Sequence, residues 1–195
     1  MSSKAAPFLE ALASRRSVYA LKPELPAGIA TKDVQNIVQQ IIKDTPTCFN
    51  SQGNRAVILT GESHKKVWDH VYNKIPLENF KKRPLSCRDE AFGTVVFMVD
   101  NVKTKELQDM FPAWSSAFPD FVAHSSGAAQ ISTWSALELV GLGGHLQHFS
   151  DFVSEALPQG AIEEGWKVHA QLVFGLPTAA PAEKTYIEND VKVFE

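Results

Sequence analysis

The stretch 125–142 constrains this chain more than any other part of it. Its apolar residues Ile131, Trp134, Ala136, Leu137, Leu139 and Val140 go nearly all the way round when wound at helical spacing. A helix apolar on so many sides must be covered on most of them. In a chain of 195 residues, a partner subunit is a natural source of part of that cover. The length suits one domain with a sizeable core. No repeat, low-complexity tract or linker divides the chain, so 1–195 reads as a single domain.

Around this helix the other elements are shorter. A first helix is expected over about 7–15, with Pro7 near its start. Pro23, Pro26 and Gly28 make 21–29 a loop. Thr31 reads as the N-cap of a second helix carrying Val34, Ile37, Val38, Ile41 and Ile42, which ends before Pro46. Strands are expected at 56–59, 94–99 and 168–174, with Ser63 capping a helix after the first of them. Ser125-Ser126-Gly127 reads as a cap, 177–181 as an extended arm and 190–194 as a last strand. Helices and strands mix without strict alternation. The expected class is therefore α+β, a sandwich around a mainly antiparallel or mixed sheet.

Composition removes several function classes. A net charge of −3 leaves no electrostatic footprint for nucleic acid. The basic run Lys81-Lys82-Arg83 is followed at once by Pro84 and reads as a solvated loop. No apolar run is long enough to cross a bilayer, and the start, Met1-Ser2-Ser3-Lys4, leads into an amphipathic stretch without a signal peptide's apolar core. Cys48 and Cys87 have neither disulfide-framework nor redox-motif spacing. The expectation is a soluble protein of a reducing compartment, the cytoplasm or nucleus. His145 and His148 lack a third ligand at a convincing spacing, so no metal site is expected.

Four segments place polar chemistry at element ends. Arg15-Arg16-Ser17 follows the first helix: two guanidinium forks and a hydroxyl suit a phosphate, and cations there also offset a helix dipole. In Pro46-Thr47-Cys48-Phe49-Asn50-Ser51-Gln52-Gly53, the amides of Asn50 and Gln52 can read a heterocycle with mixed donor and acceptor edges, or serve an ordinary turn. In Gly141-Leu142-Gly143-Gly144-His145-Leu146-Gln147-His148, the glycines let backbone approach something flat closely, or cap the long helix. Lys184 follows the proline-rich arm as either a solvated lysine or an anion ligand. A nucleophile elbow, a P-loop and a zincin pair are all absent from the sequence.

The order of these segments resembles the FMN-dependent nitroreductase family. Arg-Arg-Ser comes after the first helix, and Pro46-Thr47-x-x-Asn50-Ser51-Gln52 stands before a strand. Gly141-Leu142-Gly143-Gly144 follows a long helix, and a late lysine follows Gly175-Leu176-Pro177. The likeness spans about 8–194, and 139–149 is most similar to the small fungal and bacterial branch associated with stress responses. It implies a homodimer with FMN at the subunit interface. Arg15, Arg16, Ser17 and Lys184 would hold the phosphate and ribityl region. Asn50 and Gln52 would contact the ring edge, and Gly144, Leu146, Gln147 and His148 would lie along the ring. It also implies hydride transfer from NAD(P)H to a nitroaromatic or quinone-type acceptor in a ping-pong cycle, with FMN rather than a side chain carrying the hydride. The alternative is a flavin-binding regulatory or sequestering protein with little turnover. Two positions depart from the family pattern: Tyr19 stands where an arginine is frequent, and Gly53-Asn54 where Pro-Trp is.

Overall fold

A computed structural model describes residues 4–195; the first three residues of the Met1-Ser2-Ser3-Lys4 start lie outside it. β-branched and aromatic residues in β3 (Gly93–Asp100) and β5 (Trp166–Pro177) form the middle of an antiparallel five-stranded sheet. β2 (Asn54–Thr60) pairs with β3 on one side. β5 pairs in turn with β4 (Gly143–Gln147) and, at its end, with the two-residue β1 (Leu21–Lys22). Both faces of the sheet are covered. Val95 and Phe97 of β3 point to a cluster with Val34, Leu137 and Leu172, while Val96 and Met98 point to one with Trp68, Val71 and Val153. That alternation is the strand period of two filling two layers.

The first layer is built by α2 (Thr31–Asp44) and α6 (Phe118–Leu139), the second by α3 (Gly61–Lys74) and α7 (Ser150–Ala156). With α1 (Ala6–Ser14), α4 (Glu78–Glu90) and α5 (Asn101–Met110), this is the expected α+β sandwich. α2 begins at the expected cap itself, so that Ala30, one residue earlier, takes the cap position. Ala30 donates its N–H to Asp33 Oδ2 at 2.8 Å and accepts from the Asp33 N–H at 2.9 Å. Likewise Thr60, not Ser63, precedes α3.

Four expectations are corrected. The Lys81-Lys82-Arg83-Pro84 run is helical, within α4, rather than a loop. Pro84 and Cys87 are buried there, and packing against α3 outweighs the lost N–H. Ser125-Ser126-Gly127 lies inside α6 rather than at its cap, because the helix starts seven residues earlier with Pro119 in its first turn; Ser125 Oγ instead donates back to the Val122 carbonyl at 3.0 Å. Residues 21–29 are not wholly loop, since Leu21–Lys22 pairs with the end of β5. No strand forms over 190–194. The alternation is there, but no ladder partner reaches it among the described residues, and Val191, Val193 and Phe194 are exposed.

Candidate functional site

The site begins where α1 stops. Arg15 leaves the helix with an extended backbone, ψ 120°, and the chain runs straight on to β4. Ser17 bridges Gly144 in parallel, and the Val18 N–H donates to the Gly144 carbonyl at 2.8 Å. The first candidate segment is thereby pinned beside the third. The C-terminal turns of α6 complete the corner. The Arg15 guanidinium lies 4.4 Å over the Trp134 ring, and the Arg16 N–H donates to both Glu138 oxygens at 2.9 and 3.0 Å. Burial pushes the Glu138 carboxyl above its ordinary value, against the pull of the Arg16 N–H and of both arginine charges. The Arg16 guanidinium donates to the Ala182 carbonyl, which ties the arm carrying Lys184 to the same corner.

Beside Gly144, the Trp134 indole N–H is buried with no partner among the described residues. A buried donor without an acceptor is costly, so this atom marks where a ligand oxygen or nitrogen would be welcome. The glycines themselves serve the protein's own packing. Gly141, at φ 86°, ends α6 in a Schellman turn: its N–H reaches Glu138 O at 2.9 Å, and the Leu142 N–H reaches Leu137 O at 3.1 Å. A Cβ on Gly144 would meet the Val173 carbonyl at 2.9 Å, so that glycine is required by the β4–β5 pairing. Packing against β5 is thus by itself sufficient reason for this glycine.

Along β4, His145 is 2% exposed. Burial, with the nearby Arg83 charge, pushes its pKa down to about 3, so the ring is neutral. Gln147 Nε2 donates to His145 Nδ1 at 2.9 Å and to the Leu146 carbonyl at 2.8 Å. Tyr19 stacks on His145 with centroids 4.9 Å apart, and the Arg83 guanidinium lies 4.2 Å over Tyr19. The tyrosine that departs from the family pattern is therefore the middle layer of a stack that brings a third guanidinium, from α4, to this corner. His148, just past β4, is exposed. Among the described residues, no group of three His, Cys, Asp or Glu is placed to hold a metal. No described helix is long and apolar enough to cross a membrane.

Asn50 and Gln52 are not in this corner. Their loop packs near the other end of α6, where Pro46, Thr47 and Cys48 share a cleft with Phe121, His124 and Ser125. Ser125 and Trp134 are nine residues apart on one helix, which separates the two places by roughly 14 Å along its axis. The loop is braced in an unusual shape. Phe49, Asn50 and Gln52 have φ of 51°, 53° and 50°, in the left-handed region that bulky residues rarely occupy. The Gln52 N–H donates to Thr47 Oγ1 at 2.9 Å, and Arg55, itself paired to Asp100 at 2.8 Å, donates to the Gln52 carbonyl at 2.6 Å. Both amide side chains face outward.

The structure thus gathers Arg15, Arg16, Ser17, Gly144 and the Lys184 arm, runs Leu146 and Gln147 away from them along β4, and leaves Asn50 and Gln52 apart. Sequence reading missed Trp134, Glu138 and the Tyr19–His145–Arg83 stack. One signal was available: Glu138 is the sole Asp, Glu, Lys or Arg between Asp120 and Asp151.

No family model matches the chain. Two Saccharomyces cerevisiae proteins are similar to it over nearly their whole lengths. HBN1, which carries a provisional nitroreductase name, is 58% identical over 192 residues, covering 98% of this chain and 99% of its own. The nitroreductase FRM2 is 53% identical over 187 residues, covering 96% of each. Nitroreductase CinD from Lactococcus lactis, solved in complex with chloramphenicol, shares 32% identity and superposes with a TM-score of 0.83 over 93% of this chain and 95% of its own. With sequence likeness end to end and the same fold, the chain belongs to the nitroreductase family of oxidoreductases.

Proposed function

We propose that residues 1–195 form one FMN-binding domain that takes hydride from NAD(P)H and passes it to nitroaromatic or quinone-type acceptors in a ping-pong cycle. The observation that carries this reading is the corner around Gly144. Arg15 lies over the Trp134 ring there, Arg16 ties the backbone of the arm that carries Lys184 to the same corner, and the buried indole N–H has no acceptor among the described residues. That donor set fits an anionic, heteroatom-rich cofactor. Arg15, Arg16, Ser17 and Lys184 would hold the phosphate and ribityl chain, and the Gly144–His148 backbone would line the ring. When bound, FMN supplies a ring that accepts and releases two electrons with a hydride.

The chain's own work is then to bind, orient and exclude water. The Glu138 carboxylate fixes the Arg16 backbone, so the two guanidiniums are aimed before any ligand arrives. The neutral His145, held by Gln147, keeps the end of β4 rigid without adding charge beside the ring. No side chain is assigned as acid or base. The acceptor class follows the nitroreductase relatives, and the chloramphenicol complex of the Lactococcus protein supports it.

Two protomers make one site in this reading. Asn50 and Gln52 lie too far along α6 to meet the Gly144 corner of their own chain, so a second copy brings them to the ring edge. Exposed Phe8 of α1 and Leu139 of α6, 67% and 68% accessible, give the copies an apolar face to bury. The outer edge of β2, beside a cleft of about 590 Å³ under α2, gives the partner's 190–194 segment the ladder it lacks at home.

Purified protein should be yellow, bleach anaerobically with NADPH or NADH, and recover its absorption on addition of a nitroaromatic. It should also sediment as a dimer. Protein that neither retains FMN nor binds it at micromolar concentration overturns the reading.

A further inference from the structure

The loop that carries Asn50 and Gln52 also turns a large aromatic side chain outward. Phe49 is 55% exposed although its backbone is held in the left-handed region. Its ring lies 4.5 Å from that of Phe111, inclined by 20°, and 6.5 Å from that of Trp114, inclined by 25°. Phe111 and Trp114 are 6.1 Å apart, also at 25°. Three rings from two separate segments therefore lie nearly parallel. Trp114 is 58% exposed, and fully buried Phe118 backs the group at 6.2 Å from both Phe49 and Phe111.

Core packing accounts for Phe118 but not for the outward faces of Phe49 and Trp114. The arrangement is rigid. Gln108 Nε2 donates to the Ser115 carbonyl at 3.0 Å and fastens the short 3-10 segment Pro112–Ala117 to α5. On the other side, Thr47 and Arg55 brace the loop through the Gln52 backbone. A shelf of aromatic faces, held open and flanked by two outward amides, has the chemistry to recognise a planar ring with polar substituents. The faces of indole and phenyl rings are electron-rich, so they favour an electron-poor partner in offset stacking.

We propose that Phe49, Phe111 and Trp114 form the surface that selects the oxidising substrate, and that the class it selects is planar, electron-poor aromatics. The proposal rests on the flavoenzyme reading above, in which Asn50 and Gln52 stand at the ring edge, and so places acceptor choice on the residues that border them. It adds no chemical step: the shelf raises the local concentration of one acceptor class and orients it.

The test compares full-length, flavin-loaded protein with its Trp114→Ala, Trp114→Phe and Phe49→Ala variants. Two acceptors are used, 4-nitrobenzoate and ferricyanide, which has no ring to stack. The ratio of kcat/KM for the first to that for the second should fall roughly fivefold to twentyfold in Trp114→Ala, mainly through KM, and by less in Phe49→Ala. Trp114→Phe should keep most of the ratio. Titrating purified wild type with 4-nitrobenzoate should quench tryptophan fluorescence, and Trp114→Phe should lose much of that quench. An unchanged ratio, or an undiminished quench, overturns the proposal. So does dissociation of Trp114→Ala into monomers, which would assign the shelf to a second copy of the chain. Failure of NADPH to bleach the wild type would sink the enzyme reading instead, and the fluorescence titration still decides the shelf.

Discussion

The two ends of α6 serve different purposes. At its C-terminal end, Trp134 and Glu138 are wired to the exit of α1, and the helix turns through Gly141 into a strand whose glycines are hemmed in by β5 and β1. Near its N-terminal end, Phe121, His124 and Ser125 look across a cleft at a strained loop, and the rings beyond it face outward. The first end is a corner whose shape the chain sets by itself. The second leaves the large rings of Phe49 and Trp114 exposed. A cofactor that stays bound suits the prebuilt corner, and a substrate that comes and goes suits the open shelf.

If the C-terminal end is prebuilt, disturbing its backbone should do most damage. Gly144→Val would drive a branched side chain into the Val173 carbonyl, 2.9 Å from the first added carbon, with Leu172 at 3.4 Å. Overpacking against backbone has no cheap relief, so a loss of about 3 kcal/mol or more is expected, read as a fall in Tm together with loss of FMN retention. A variant that keeps wild-type Tm would show that β4 is not held as tightly as the comparison requires.

Acid should loosen the same end. The His145 pKa is depressed to about 3 in the fold, against 6.5 when unfolded. The unfolded chain therefore takes up this proton first, and stability from the neutral ring is lost as pH falls from 6.5 toward 3. At pH 4 the loss is about 3 kcal/mol. Glu138 runs the other way. Its folded pKa is raised, so its contribution is present below 4.5 and is lost as pH climbs through the raised value. Urea melts across pH 4–7 of wild type and His145→Gln check the first sign: the wild type should weaken more steeply on acidification. Glu138→Gln checks the second, since it should flatten the decline on the alkaline side of that window.

These effects could not be read along the chain, whereas much of the fold could. Helix periodicity located α2 and most of α6, and β-branched runs located the centres of β2, β3 and β5. β4 was missed because Gly143-Gly144 has no strand preference of its own; the strand exists because β5 supplies a ladder that fits only glycine there. α4 was missed because Pro84 is a helix breaker by local rule, and only contact with α3 overrides it. The candidate segments were legible as segments because their order is family-like. Their geometry was not, since Arg16 meets Glu138 across 122 positions and Tyr19 meets Arg83 only through tertiary packing.

The ligand-facing groups of the corner should show smaller effects than its backbone. Arg16→Ala is expected to weaken FMN retention by about 1–3 kcal/mol, measured by equilibrium dialysis, with little change in the flavin-free Tm. Unchanged affinity in both Arg16→Ala and Arg15→Ala would remove the phosphate clamp. Trp134→Phe separates ligand from fold more finely. It keeps an aromatic surface under Arg15 and deletes a buried N–H that has no partner among the described residues. The flavin-free protein should hold or gain stability, while the bound one loses about 1 kcal/mol of cofactor affinity. A flavin-free variant less stable than wild type by a similar amount would mean that the indole N–H already serves the fold.

The smallest effect belongs to the middle of α6, between the two ends. Gly127 is exposed, and a Cβ added there would meet nothing within 4 Å. Glycine inside a helix carries extra chain entropy and exposes backbone, so Gly127→Ala should raise Tm by the equivalent of about 0.5–1 kcal/mol. That gain is expected only if the position stays open in the dimer. The proposed site draws the partner's loop toward the Gly144 corner and the apolar contact toward Phe8 and Leu139, which leaves Gly127 clear. Differential scanning calorimetry with sedimentation in parallel tests this directly. A higher Tm with an intact dimer supports two separate working ends with an open stretch of α6 between them. A lower Tm with dissociation would place the partner's own backbone on Gly127, and α6 would then be one continuous interface rather than a bridge between a corner and a shelf.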